Sequence, residues 1–362
     1  MRWLPAILIL PYIFFLLKIY RSLQKIKSFE VTGEPETLVS VVVACRNEEE
    51  RMLQLLKSIS EQDYPPQLFQ VIIVNDNSSD RTAEIVSDFN GPGTILIINN
   101  KGTGKKQAIK TGISKASGKL IITTDADCRM GKSWVRTIAA FYEKHNPDMI
   151  ICPVQIEPSR GFFGRFQELE FLGLQGITAG SAFTGDGTMC NGANLAFSKE
   201  AYLNNAHNLN FDEASGDDVF FLHSLKKQKG SEILWLESPF AIVTTAPSLS
   251  ALSYLRQRSR WISKSKSYSD PFSILLGIVT FVTILLQLSL LVAGFINQNY
   301  MLVFLIVFLI KSVPDFLILR NTSGRYGKKE LMNWFLPAQA VYPFYVLLVV
   351  ICTLIAPGNQ EY

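Results

Sequence analysis

Residues 71–80 read VIIVNDNSSD, in which four β-branched aliphatic residues are followed at once by amide, acid and hydroxyl side chains. The same change from apolar to polar occurs where LVSVVVA at 38–44 meets CRNE, and where LIIT at 120–123 meets TDAD. Short continuous apolar runs are typical of strands buried on both faces of a parallel sheet. The predicted strands are Leu38–Ala44, Val71–Val74, Thr94–Ile98, Leu120–Thr123 and Met149–Val154.

Amphipathic stretches lie between these strands. Their apolar residues recur with the period of a helix, and they cover Glu48–Ile59, Arg81–Phe89, Lys106–Ala116 and Lys132–Lys144. Alternating strands and helices predict a mainly parallel α/β sheet with right-handed crossover connections. Such a sheet binds its ligands beyond the carboxyl ends of its strands, which is where the polar residues lie.

The polar residues at the strand ends suggest a site for a nucleotide diphosphate. Asp125 and Asp127 are two residues apart on an extended segment, so both carboxylates face one side. Carboxylate oxygens combined with substrate phosphates suit Mg²⁺ or Mn²⁺. Lys105 opens a predicted helix, where backbone N–H groups favour phosphate, and Asp76 could accept hydrogen bonds from a base or a sugar. Each of these residues alone has a plainer explanation as part of a turn or a helix cap.

The composition excludes an ordinary soluble protein. The chain of 362 residues is 48% hydrophobic and only 18% charged, whereas soluble domains have about 25% charged residues. No charged residue occurs between Asp270 and Lys311 or between Glu330 and Glu361. The five cysteines form no Cys-x-x-Cys pair, which argues against a disulfide scaffold or a zinc site. The sequence therefore predicts a membrane protein with a water-soluble middle part.

Four membrane crossings are predicted. A crossing needs about 20 apolar residues, and the candidates are an N-terminal anchor and three later helices at about 271–296, 300–319 and 334–356. Lys and Arg cluster after the first crossing, before the second and between the third and fourth, which places these regions in the cytoplasm and both chain ends outside. The predicted domains are the anchor at 1–27, a cytoplasmic domain at 28–247, an amphipathic interfacial helix at 248–269 and the three helices within 270–362.

Two further motifs follow the predicted sheet. Asp217 and Asp218 come after Gly216 and precede an apolar helical run, and Gln257-Arg258-Ser259-Arg260-Trp261 lies in an amphipathic stretch beside the first long apolar segment. Adjacent aspartates before a helix are commonly a helix cap. A basic, aromatic stretch is found at many membrane boundaries. Neither motif is specific by itself.

Taken in order, the motifs resemble those of the family 2 glycosyltransferases, inverting enzymes of the GT-A fold that use nucleotide sugars. They are Asp76 in its Asn-Asp-Asn-Ser-Ser-Asp turn, Asp125-Ala126-Asp127, the pair Asp217-Asp218, and Gln257-x-x-Arg260-Trp261. The resemblance covers about residues 38–261. The flanking apolar helices are similar to those of the membrane branch, which contains cellulose, chitin and hyaluronan synthases and ceramide glucosyltransferases.

The resemblance implies a role for each motif. Asp76 would contact the nucleobase, and Lys105 would contact the nucleoside or the diphosphate. Asp125 and Asp127 would hold the ribose, the diphosphate and a Mg²⁺ or Mn²⁺ ion. Asp218 matches the family's catalytic base. The residues implied on the acceptor and diphosphate side are Asp217, Asn191, Gly192, Gln257, Arg260 and Trp261. The implied donor is a nucleotide-diphosphate sugar, with a UDP-sugar preferred, and no nucleic acid is expected as a partner.

Two positions depart from the family's pattern. The usual Asp-Asp-Gly-Ser reads Asn75-Asp76-Asn77-Ser78, so asparagines replace the first aspartate and the glycine. The usual Glu-Asp reads Asp217-Asp218, which keeps the base and shortens its neighbour.

The resemblance predicts an integral membrane enzyme that transfers a sugar to a lipid or lipid-linked acceptor. One alternative is a processive polysaccharide synthase, for which four helices are few to enclose a channel. Another is a non-catalytic membrane subunit that keeps the fold, which the presence of every expected carboxylate disfavours. A transporter is disfavoured because the predicted membrane helices contain hardly any polar pair that could bind a substrate.

Overall fold

A computed structural model describes residues 7–91, 94–205 and 216–355. The first six residues of the predicted anchor and the predicted external tail from residue 356 lie outside the described part. The chain divides into two compact units. The sheet unit consists of residues 27–157 and 189–246, and the helical unit of residues 1–26, 158–188 and 247–362.

The sheet unit contains the β-strands. They are β1 (Val39–Cys45), β2 (Phe69–Asn75), β3 (Thr94–Asn99), β4 (Leu120–Asp125), β5 (Arg129–Met130), β6 (Met149–Ile151), β7 (Val154–Ile156), β8 (Leu195–Ser198), β9 (Ile233–Trp235) and β10 (Val243–Thr245). Seven of them form one sheet in the order β3-β2-β1-β4-β8-β6-β9, and β5, β10 and β7 form a small second sheet. All neighbours in the large sheet are parallel except β8, which runs antiparallel to β4 and β6. The predicted mainly parallel α/β sheet is confirmed.

The α-helices belong to both units. In chain order they are α1 (Leu10–Lys25), α2 (Glu49–Ser60), α3 (Thr82–Ser87), α4 (Lys105–Lys115), α5 (Trp134–His145), α6 (Gly161–Phe183), α7 (Lys199–Asn205), α8 (Asp217–Lys227), α9 (Ala251–Ser263), α10 (Pro271–Ile296), α11 (Gln298–Arg325) and α12 (Phe335–Ile355). Helices α2 to α5, α7 and α8 belong to the sheet unit. The core forms where apolar residues of α2, α3 and α5 meet β1 and β2, in which Val41 and Val71 are paired and buried.

The predicted strand Met149–Val154 is divided into β6 and β7 around Cys152 and Pro153. Proline has no N–H to contribute to a ladder, so β6 ends before it. The Pro153 carbonyl instead accepts hydrogen bonds from Val243 N at 3.1 Å and from Asn194 Nδ2 at 2.7 Å. The strand after the proline therefore pairs with β10 in the small sheet.

Within the residues that the structure describes, three segments of the helical unit are long and apolar enough to cross a membrane: Pro271–Ile296, Gln298–Arg325 and Lys329–Ile355. The last begins with a 3₁₀ turn, Lys329–Trp334, that leads into α12. Helix α1 has 16 residues, fewer than the about 20 that a crossing needs. The fourth crossing and the cytoplasmic orientation of the soluble part therefore stay predictions.

Helix α6 belongs to the helical unit and has no counterpart among the predicted elements. Glycines let it lie close to its neighbours. A Cβ built at Gly180 would stand 2.6 Å from the Ile19 carbonyl oxygen of α1, and one at Gly176 would collide with Thr322 of α11. Small residues of this kind allow helix backbones to approach closely.

Helix α11 contains a buried ion pair at its middle. Lys311 Nζ lies 2.7 Å from Asp315 Oδ2, and Lys311 is 1% exposed. Lys311 also donates to Gln339 Oε1 of α12 at 3.1 Å, and the Tyr12 hydroxyl of α1 donates to Asp315 Oδ1 at 2.6 Å. A polar pair is thus present inside a candidate span, and the partners it binds are side chains of α1 and α12.

Candidate active site

The sequence Asp125-Ala126-Asp127 lies at the carboxyl end of β4, which pairs with β1 in the large sheet. Ala126 is buried, and the aspartates on either side of it are half-buried. Asp127 Oδ2 accepts a hydrogen bond from Thr245 Oγ1 of β10 at 2.9 Å. Two hard oxygen donors therefore stand at the edge where such sheets bind ligands.

Lys105 is the first residue of α4 and follows Gly104, whose φ of +90° is a conformation that favours glycine. Lys105 Nζ donates to Asp125 Oδ1 at 2.5 Å. Burial alone would lower the pKa of Lys105. The carboxylates of Asp125, Asp217 and Asp218 outweigh burial and raise that pKa above its ordinary value. A permanent positive charge therefore lies among acids from two distant parts of the sequence.

Asp76 follows β2 and is 2% exposed. Its Oδ1 accepts from Asn100 Nδ2 at 2.7 Å, and its Oδ2 accepts from Gly104 N at 2.8 Å. Asn100 and Gly104 belong to the segment that leads from β3 into α4. Asp76 therefore holds the loop that presents Lys105, and its contact with a nucleobase stays a prediction.

The acid pair Asp217-Asp218 opens α8 after Gly216, which has a φ of +95°. Asp218 Oδ2 accepts from Gly192 N at 2.9 Å, and its Oδ1 accepts from Val219 N at 2.8 Å. Asn191 immediately precedes Gly192 in the chain. Its side chain accepts from Ala193 N at 3.0 Å and caps the 3₁₀ turn that begins at Gly192. The predicted acceptor-side loop is thus joined to the predicted base.

One open pocket of the sheet unit gathers several of the predicted residues. Its polar lining includes Lys105, Gly192, Asp217 and Asp218. Its apolar lining is formed by Ile109, Leu195, Phe197, Tyr202 and Phe221. The structure therefore brings the donor-side lysine and the candidate base to the same opening.

Glu48 is a third carboxylate near the aspartates of β4, and the sequence analysis did not single it out. Burial raises the pKa of Glu48; Arg51, 3.6 Å away, opposes that shift, and the charges of Asp127 and Asp125 add to it. Arg51 and Arg129 line a second open pocket with Asp127. The available signal was the position of Glu48 in the polar CRNE end of β1.

The Gln257-Arg260-Trp261 motif lies on α9 in the helical unit, and all three residues are half-buried. The Arg260 guanidinium makes no hydrogen bond or ion pair with any residue that the structure describes. The buried arginine within this stretch is Arg258, which pairs with Glu170 of α6 at 2.6 Å. Sequence reasoning missed this pair because its members are far apart in the chain.

The carboxylates of Asp125 and Asp127 suit a divalent cation that leaves part of its coordination sphere open for a bound ligand. Among residues 7–91, 94–205 and 216–355, no group of three or more His, Cys, Asp or Glu side chains is placed to hold a metal. Two half-buried carboxylates, Asp125 and Asp127, fit an ion bound by one or two carboxylates together with substrate phosphates.

Comparison with known proteins gives a family match for part of the chain. The Glycosyl transferase family 2 model matches residues 40–204, a range that includes Asp76, Lys105, Asp125 and Asp127 and ends before Asp217. No curated protein sequence matches the chain.

Among solved structures, the chain is similar to the mannosyltransferase PcManGT from Pyrobaculum calidifontis in complex with GDP-Man and Mn2+. The TM-score is 0.58 at 17% identity, over 99% of this chain and 100% of that one. S. aureus TarS 1–349 in complex with UDP gives a TM-score of 0.47 at 15% identity, over 90% of this chain and 94% of that one. Residues 40–204 thus form a family 2 glycosyltransferase domain with a GT-A-like fold, and the chain is a glycosyltransferase whose C-terminal apolar helices fit a membrane-bound member.

Proposed function

We propose that this glycosyltransferase moves a sugar from a nucleotide-diphosphate sugar to a lipid or lipid-linked acceptor, in one displacement that inverts the anomeric centre. The observation that carries the proposal is the position of Lys105. It bonds to the donor-side Asp125 and shares a pocket with the acid pair of α8. A donor diphosphate and an acceptor hydroxyl could therefore meet at one opening.

Asp218 is proposed as the base. Hydrogen bonds from Gly192 N and Val219 N fix both of its oxygens, and each carboxylate oxygen keeps a further lone pair. A carboxylate fixed in this way can accept the proton of an acceptor hydroxyl as that oxygen attacks the sugar. Asp217 adds negative charge beside Lys105 and supports the lysine's charged form.

Asp125 and Asp127 are proposed to hold a divalent cation, Mg²⁺ or Mn²⁺. When bound, such an ion neutralises charge on the departing diphosphate. The presence of Mn2+ with GDP-Man in the mannosyltransferase complex supports this proposal. Lys105 would add a fixed positive charge for the leaving group on the same side.

Gln257, Arg260 and Trp261 are proposed to close over the diphosphate and line the acceptor site. Support comes from the resemblance of the motif and from the Arg260 guanidinium, which no described residue engages. A guanidinium can bind two oxygens of a diphosphate at once.

The acceptor is proposed to be a lipid because three candidate spans accompany the catalytic domain. With an N-terminal anchor as a fourth crossing, the distribution of Lys and Arg supports a cytoplasmic position for that domain. A processive polysaccharide synthase is the second candidate, and few helices are present to enclose its product. UDP is the preferred donor nucleotide by resemblance, and GDP is the nucleotide in the mannosyltransferase complex.

The test is to incubate the purified full-length protein with a panel of UDP- and GDP-sugars, with membrane lipids as acceptors, and to measure nucleoside diphosphate and glycolipid. We expect nucleoside diphosphate to be released from one of the nucleotide sugars in the panel. Asp218→Asn should abolish transfer and leave donor binding within about twofold, because the change keeps the shape and removes the base. Asp88→Asn, at an exposed carboxyl group, serves as the matched control. Transfer by Asp218→Asn at the wild-type rate would contradict the proposed base.

A further inference from the structure

Arg258 stands inside the motif helix α9, and its role differs from that of Arg260. Its side chain is 5% exposed and pairs with that of Glu170, which is 8% exposed. Removing two charges from water is costly, and the attraction between them does not always repay that cost. A buried pair of this kind therefore calls for an explanation beyond stability.

Glu170 is held by three groups. Arg258 Nη2 and the Tyr254 hydroxyl donate to its Oε2 at 2.6 and 2.9 Å. The Tyr345 hydroxyl of α12 donates to its Oε1 at 3.3 Å. The rings of Tyr254 and Tyr345 stack with centroids 5.6 Å apart. The carboxylate therefore has one fixed orientation, and so does the guanidinium it binds.

That guanidinium lies over the ring of Trp261. Arg258 Cζ is 4.0 Å from the centre of the indole ring, well inside the distance of about 6 Å at which cation–π attraction acts. The two residues are three positions apart on α9 and hence on one side of the helix. Phe171 of α6 lies near the indole too, with ring centroids 6.4 Å apart. The indole is therefore oriented by contacts that begin at Glu170.

We propose that Glu170 and Arg258 are positioning residues for Trp261: the carboxylate fixes the guanidinium plane, and the guanidinium holds the indole in the orientation in which it receives the acceptor. The inference rests on the proposed function for the acceptor role of Trp261. It also gives different roles to the two arginines between Gln257 and Trp261. Arg260 is left to bind the diphosphate, whereas Arg258 is committed to Glu170.

The substitution Arg258→Lys separates positioning from stability. Lysine can keep a charge bonded to Glu170, but it lacks the flat guanidinium that stacks on an indole. A purely structural ion pair would tolerate this change. Arg256→Lys is the matched control, because Arg256 is an exposed arginine on the same helix.

The first readout is the environment of Trp261 itself, which needs no enzyme activity. The chain has five tryptophans, so protein labelled with 5-fluorotryptophan gives five fluorine resonances, and Trp261→Phe identifies one of them. We expect Arg258→Lys to shift or broaden that resonance and leave the other four in place. Arg256→Lys should leave all five unchanged.

The second readout is transfer. Arg258→Lys should lower kcat about tenfold or more, because small errors in placing a reactant are costly. The donor KM should stay within about twofold, since the diphosphate contacts are kept. Glu170→Gln should also lower kcat. If the Glu170→Gln protein does not fold, the result for Arg258→Lys tests the inference by itself.

An unmoved Trp261 resonance together with wild-type transfer in Arg258→Lys would overturn the inference. If the wild-type protein transfers no sugar from any donor, the proposed function has failed. The fluorine spectrum then still decides whether Arg258 orients Trp261.

Discussion

Lys105 is the residue at which the donor side and the acid pair of the candidate site meet. Carboxylates placed close together repel one another, and here Asp125, Asp217 and Asp218 all act on one lysine. A single fixed cation offsets this repulsion.

At this scale the clearest prediction concerns Asp127. Asp127→Ala should weaken binding of the nucleoside diphosphate at least about tenfold in Mg²⁺ or Mn²⁺, because a ligand of the proposed ion is lost. Isothermal titration with the diphosphate measures the change. EDTA should reduce the affinity of the wild-type protein to a similar value.

Asp88→Ala, at an exposed carboxyl group outside the candidate site, is the control and should bind as the wild type does. If affinity survives both Asp127→Ala and EDTA, Asp125-Ala126-Asp127 is an ordinary loop.

Residues whose partners are near in the sequence, or whose order matches a family, could be found without a structure. Asp125, Asp127 and the α8 acids belong to this group. Glu170 and Arg258 are 88 residues apart, and Tyr12 and Asp315 are 303 apart. Such pairs form only through tertiary packing, so no local sequence pattern predicts them.

The packing of helix α6 against its neighbours depends on its glycines as well as on its apolar side chains. A methyl group at Gly180 would meet the backbone of α1 at Ile19, and backbone cannot move aside as the end of a flexible side chain can. At Gly173, by contrast, the nearest atom would be Leu319 Cδ2 at 3.6 Å, an ordinary contact.

Gly180→Ala should therefore lower stability by about 1–3 kcal/mol through overpacking. Gly173→Ala should leave stability unchanged or raise it slightly, because alanine favours a helix over glycine by about 0.5–1 kcal/mol. Thermal unfolding in detergent, followed by circular dichroism, compares the two variants. Equal melting temperatures would show that α6 and α1 do not need this close approach.

The helices and strands, like the residues, fall into those with a local sequence signal and those without one. Apolar runs ending in polar clusters predicted β1 to β4, because strands buried on both faces have that local signature. The antiparallel strand β8 depends on which strands become neighbours, whereas Pro153 was a local signal for the division of Met149–Val154. Helix α6 escaped prediction because its glycine-rich, largely apolar sequence lacks the polar face of an amphipathic helix.

The whole molecule combines a glycosyltransferase domain with three candidate spans. The positive charges near residues 320–329 and after the first crossing predict that these segments and the sheet unit share one side of the membrane. With four crossings, both chain ends face the other side.

Reporter fusions at Gly230, Tyr326 and the C-terminus test this topology. We expect cytoplasmic signals from Gly230 and Tyr326 and an external signal from the C-terminal fusion. An external signal from Gly230 would end the proposed topology, because it would place the donor site on the side opposite to its cytoplasmic substrate.

The ion pair in the middle of α11 also affects how the protein is made. A lone charge at the centre of a crossing helix costs about 2.5–3.5 kcal/mol during insertion. Tyr12 precedes Asp315 by 303 residues and leaves the ribosome first, whereas Gln339, the further partner of Lys311, follows it by 28 residues and leaves the ribosome later. As a crossing helix, α11 would therefore enter the bilayer before α12 brings Gln339 to its lysine. The membrane part is complete only after the last helix has been translated.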